Sequence, residues 1–163
     1  ESYYAMAGLK LTYQTMTALI EAGYEDRDYQ DITINDIDDV IAKVRFGWHN
    51  PEDTTKFSAT YLRKLFEDDD IITPITVDRF GVLASHDLNA DWTASAHANY
   101  EIMDFNGTTR QDDIVTAGAD LNYDLNAYLT AGIGYEYIER QSDAANLDYS
   151  KHLAMLRLTG QLP

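Results

Sequence analysis

Ser95 and His97 are the residues whose types first suggest covalent chemistry, a hydroxyl nucleophile beside an imidazole base. On an extended chain they share a face two residues apart, a placement poorly suited to direct proton transfer, and no triad geometry is visible. His49, His86 and His152 lie near turns or chain ends, or on the opposite face, so no enzyme is expected. The run Glu67-Asp68-Asp69-Asp70 offers carboxylate oxygens of the kind Ca²⁺ takes. No glycine-marked loop with fixed ligand spacing follows it, which favours a solvated acidic loop. The chain has no cysteine, hence no disulfide frame and no thiolate metal site, and no cofactor or metal is expected.

A third set of residues is more telling because of where it recurs. Lys10, Glu21, Lys43, Arg45, Lys56, Arg79, His97, Glu101, Asp120, Glu136 and Arg157, with Lys151, all fall on the polar side of alternating segments. Lining a lumen, they would form a wet, mixed-charge wall that hydrogen-bonds and steers a polar solute. The plainer alternative is that they pair across strands and only solvate the interior. Tyr4, Tyr128 and Tyr149 share that side and could stack on sugar rings, although packing serves equally well as their role.

The elements that must carry these residues are strands. Over 92–102, Trp92, Ala94, Ala96, Ala98, Tyr100 and Ile102 take one face, and Thr93, Ser95, His97, Asn99 and Glu101 take the other. About ten residues of strict alternation match a tilted strand crossing a bilayer. The same rhythm runs through 3–13, 16–24, 40–48, 55–65, 79–86, 114–123, 127–137 and 150–162, which makes nine candidate strands and no helix. Aromatic residues mark the ends of the apolar faces: Tyr13, Tyr24, Trp48, Trp92, Tyr100, Tyr123 and Tyr135 form the expected belts. A soluble β-sandwich would instead bring its apolar faces together in a dry core, and small residues alternating between aromatic belts argue against that. The fold class is therefore all-β, an antiparallel up-and-down transmembrane β-barrel, with residues 1–163 a single segment of it.

Three hairpins align on one template, 11–25, 83–101 and 121–136, and 46–64 fits less tightly. Short turns are expected at 14–15, 49–54, 87–91 and 124–126, and longer acidic loops at 25–39, 66–75, 103–112 and 138–148. Those four loops hold sixteen acids against Arg27, Arg110 and Arg140, about −13 of the net −16. Short turns on one rim and long loops on the other are the outer-membrane asymmetry, with the long loops extracellular. The negative charge also excludes a nucleic-acid partner, which needs a basic stripe. No run approaches the ~18 consecutive apolar residues of a membrane-spanning helix.

Nine is an odd count, whereas bacterial single-chain barrels have an even number of strands. The expectation is that further strands, from residues not in this chain or from another chain, complete the wall.

Several stretches together resemble the β-barrel porin family of the "porin 2" type. They are 23–29 (GYEDRDY), 38–48 (DDVIAKVRFGW), 54–64 (TTKFSATYLRK), 87–101, 112–143 and 147–162. The resemblance covers essentially the whole chain and follows the family's C-terminal half. It implies an outer-membrane pore of a Gram-negative bacterium, a full barrel on the order of 16 to 18 strands, and a role as an exit port for exopolysaccharide. The partners implied are outer-membrane lipid and lipopolysaccharide, a polysaccharide substrate and periplasmic export proteins. Leu162-Pro163 departs from the aromatic end usual in barrels. The competing expectation is a plugged structural barrel, an adhesin or anchor acting through its acidic extracellular loops.

Overall fold

A computed structural model describes residues 2–27, 37–68 and 71–160. Nine strands follow one another: β1 (Ser2–Tyr13), β2 (Met16–Arg27), β3 (Ile37–His49), β4 (Thr55–Asp68), β5 (Ile71–Asp87), β6 (Trp92–Phe105), β7 (Gln111–Asn126), β8 (Leu129–Ser142) and β9 (Tyr149–Gly160). They form one sheet in sequence order, each strand antiparallel to the next. No ladder joins β1 to β9 among the described residues, so the sheet is open. The up-and-down antiparallel fold expected from the alternation is the one observed.

The turns at one end explain the hairpins. Gln14 takes a positive φ of 47° in the tight turn between β1 and β2. Asn50 closes the next turn, its side-chain oxygen accepting from the Thr55 amide at 2.7 Å while its amide nitrogen donates to the Thr54 hydroxyl at 3.0 Å. Asn89 accepts from the amides of Asp91 and Trp92 at 2.9 and 3.1 Å. Such side-chain mimicry of backbone turns is why Asn and Asp gather there.

At the other end the expected long loops are corrected. Most of 66–75 and half of 103–112 is strand: β5 begins at Ile71, β6 runs to Phe105 and β7 starts at Gln111. Similarly β2 extends to Arg27, β3 starts at Ile37 and β8 continues to Ser142, leaving 143–148 as the connection to β9. Above a bilayer both faces of a sheet are wet, so the ladder continues without apolar alternation, and the pattern loses sight of it. Conversely Ala127 and Tyr128, expected on the wall, form the turn between β7 and β8. The segment 28–36 and Leu162-Pro163 lie outside the described residues, as does the acidic run Glu67–Asp70 apart from the end of the β4 backbone.

Burial runs opposite to that of a soluble protein. In β2 the apolar Met16, Ile20, Ala22 and Tyr24 are exposed, whereas Glu21, Gly23, Glu25 and Arg27 on the other face are half-buried. Ile20 is 53% exposed, while the neighbouring Glu21 side chain is 32% exposed. On β9, Leu156 is 89% exposed. Side chains on a concave face converge and cover one another, and here the concave face is the polar one. A small apolar cluster does exist: Ile75, Val77 and Phe105, with Met103 against them, on the polar face where β5 and β6 run beyond the aromatic rows.

Candidate pore wall

The register shows which charged residues meet. Lys10, Glu21, Lys43, Arg45, Lys56, Arg79, His97, Glu101, Asp120, Glu136 and Arg157 all lie on the same face, as the paired positions trace from β1 to β9. Glu21 and Lys43 are directly opposite across β2 and β3, 3.2 Å apart. Arg79 and Glu101 are likewise opposite on β5 and β6 and form a close ion pair. Lys56 reaches back to Asp53 at 3.4 Å, and Arg157 approaches Asp120 at 3.7 Å. The plainer alternative, cross-strand pairing, thus describes part of the set. Lys10, Arg45 and Lys151 have neither an ion pair nor a hydrogen bond among the described residues.

Some contacts skip a strand, as Arg157 on β9 does in reaching Asp120 on β7, and one of them depends on a glycine. His97 on β6 and Glu136 on β8 both face Gly118 of the intervening β7. The imidazole lies over that glycine, with Nε2 3.5 Å from the Glu136 carboxylate. A Cβ at Gly118 would lie 2.5 Å from His97 Cε1 and 3.0 Å from the Tyr135 carbonyl oxygen, so only glycine leaves room for this bridge. Ser95 shares the face of His97. Among the described residues no three His, Cys, Asp or Glu side chains are grouped to hold a metal.

The opposite face carries most of the aromatic residues. Trp92 packs on Tyr123 with ring centroids 4.7 Å apart, and Tyr13, Trp48 and Phe57 continue that row near the tight turns. Eight residues separate Trp92 from Tyr100, about 27 Å of strand and about 21 Å of height at the usual barrel tilt, close to an outer-membrane apolar band. At the far edge a second row repeats one contact. The tyrosine hydroxyls donate to carboxylates: Tyr24 to Asp38, Tyr61 to Asp78 at 2.6 Å, Tyr100 to Asp113 at 3.1 Å, and Tyr137 to Glu139 at 2.8 Å. Each ring stays in the apolar band while its hydroxyl meets the polar boundary.

Tyr61 and Tyr137 of this row, and Arg63 beside it, are not among the belt or pore residues that the sequence singles out. Tyr137 holds the position that the hairpin template assigned to Tyr135. Tyr135 lies two residues nearer the turn and instead contacts His152 Nδ1 at 2.6 Å. Arg63 binds Asp78 at 2.7 Å and Asp39 at 3.0 Å. It falls on the apolar side of β4, where alternation gives a cation no obvious place.

Beyond the second row sits the most buried charge. Asp112 is 0% exposed and accepts from Arg110 at 2.7 Å, from Arg140 and from the Ser142 hydroxyl. Burial alone would raise its pKa, but the hydrogen bonds from Arg110, Ser142 and Arg140 outweigh it and bring it down to about 2. Arg110 also stacks on Phe105, 3.8 Å from the ring centroid.

A curved antiparallel sheet with its apolar, aromatic-edged face turned out and its charged face turned in is the wall of a transmembrane β-barrel. Residues 1–162 match the family described as "Putative beta-barrel porin 2", and the chain belongs to that family. Among solved structures it is similar to the outer-membrane-expressed OmpT of Vibrio cholerae, with a TM-score of 0.65 and 12% identity over 98% of this chain and 56% of that one. In-vitro folded OmpT, an outer membrane protein of the same organism, gives a TM-score of 0.58 and 11% identity over 98% and 54%. The chain thus spans about half the length of the solved chains it matches, and at this identity the likeness speaks for the fold. No curated protein matches. Family and fold place the chain in the outer membrane of a Gram-negative bacterium.

Proposed function

We propose that this chain forms part of the wall of a water-filled, porin-like channel for polar solutes. The observation that carries the proposal is the inverted burial: exposed apolar side chains on one face and a half-buried ladder of charged side chains on the other. Such a face is stable only against water, and a lumen supplies it. The proposal gives the chain no catalytic step. Export of an extracellular polysaccharide, with periplasmic partners, is the finer form of this proposal and draws its support from the family resemblance.

A plugged barrel acting through its extracellular surface is the second reading. It is favoured by one observation, the apolar cluster of Ile75, Val77 and Phe105 on the polar face near the extracellular rim. Single-channel conductance of the full-length protein in a planar bilayer, with and without candidate polysaccharide, separates the two. Large, stable openings blocked by the polymer are expected. A closed barrel without conductance would replace the pore with the plugged reading.

A further inference from the structure

The charges of the polar face are not mixed evenly; they are sorted by strand. Along the described polar face, β1–β5 present Lys10, Arg27, Lys43, Arg45, Lys56, Lys64 and Arg79 against Glu21, Glu25, Asp39 and Asp87. Over β6–β8 the same face presents Glu101, Asp112, Asp120, Asp124 and Glu136 against Arg140, with His97. This contrasts with a net charge of −16 for the chain, so the basic sector is a local departure from its composition.

Within that sector two cations, Lys10 and Arg45, have no side-chain partner among the described residues. Lys10, Leu19, Arg45 and Thr60 form one continuous cross-strand row over β1–β4. Lys10 and Arg45 stand on alternate strands, about 10 Å apart at the backbone. Glu21, one step along the face, is already engaged by Lys43 at 3.2 Å. The row beneath is Thr12, Thr17, Gly47 and Ser58, three hydroxyls flanking a glycine that leaves the wall low under Arg45. Charge-bearing donors above a shelf of neutral donors and acceptors suit a ligand with both an oxyanion and hydroxyl groups.

From this arrangement we infer that the β1–β4 wall is a binding track for an acidic sugar, with Lys10 and Arg45 receiving its carboxylate and Thr12, Thr17, Ser58 and Thr60 its hydroxyls. The acidic β6–β8 sector repels the same ligand, so the solute is held to one side of the lumen. The inference rests on the pore reading and names the solute class for it.

The test uses the full-length protein in a planar bilayer, with oligogalacturonate as the acidic probe and a neutral dextran oligosaccharide of matched length as its control. Oligogalacturonate is expected to block the channel, the dextran far less, and the block is expected to weaken as KCl is raised. Lys10→Gln combined with Arg45→Gln is expected to lower the apparent affinity for oligogalacturonate roughly tenfold while parent-sized openings persist. Lys10→Gln alone should give a smaller loss, and Arg45→Lys should retain most of the block. Equal block by the two oligomers, or undiminished discrimination in the double variant, would overturn the inference. Absence of any conductance from the unaltered protein would instead remove the pore reading itself.

Discussion

At the scale of the residue, Gly118 and Asp112 show how this wall holds charge. The bridge from His97 to Glu136 exists because β7 offers no side chain between them. Gly118→Val is expected to destabilise the barrel by about 1–3 kcal/mol, since the added atoms meet the Tyr135 carbonyl oxygen, which belongs to the backbone and cannot swing aside. Urea unfolding in lipid vesicles measures this, and an unchanged midpoint would show that the register yields. Asp112 makes a pH-dependent contribution. Its folded pKa of about 2 lies below the ordinary value of 3.8. The stability it supplies is therefore present above about pH 4 and is lost as pH falls towards 2, amounting to about 2 kcal/mol. Hydrogen exchange at Gln111 to Asp113, corrected for intrinsic rates, should show protection fading over that window. Asp112→Asn should flatten the dependence; the same slope in that variant would assign it to another group. Glycine at 118 was legible as part of a barrel wall, but its partner two strands away was not. The Asp112 site draws on three segments, and its members read in the sequence only as loop charge.

At the scale of the element, alternation makes a sharp prediction along β6. Ala96 and His97 are neighbours in sequence and face opposite solvents. Ala96→Arg places a charge in the apolar band and is expected to cost about 2–4 kcal/mol if it lies near the midplane. His97→Arg places a cation against Glu136 in the wet interior and is expected to cost far less. Denaturant titration of both variants in vesicles decides this; equal losses would mean that the faces are misassigned. The strand centres were legible because each residue's face is set by its parity alone. The strand ends were not, as β5 shows: its alternation was read over 79–86, yet it spans Ile71–Asp87. Pro74 and the polar residues nearby resemble a loop, but a ladder above the membrane needs only paired backbone, not an apolar face.

At the scale of the whole molecule, the sheet constrains its own closure. Nine alternating strands leave β1 and β9 running in the same direction, so the two edges cannot meet in an antiparallel ladder. An all-antiparallel closure requires an odd number of strands between them, which gives the even total usual for outer-membrane barrels. In the full-length protein, cysteines replacing Leu9 and Ile20, which face each other across β1 and β2, are expected to crosslink. Cysteines replacing Leu9 and Leu156 on β9 are expected to stay apart, and a crosslink there would show direct β1–β9 closure. The odd strand count was legible without coordinates.

The sequence by itself determined that the chain is a series of strands, which face of each is apolar, and where the tight turns fall. These are local properties: period-two alternation and turn chemistry act within a few residues of each other. Only the tertiary structure decided the register. Sliding a strand by two residues leaves both faces unchanged, so no one-dimensional pattern can choose among such slips. That choice puts Tyr137 rather than Tyr135 against an acid at the rim, opposes Glu21 to Lys43, carries His97 over Gly118 to Glu136, and sorts the basic strands from the acidic ones.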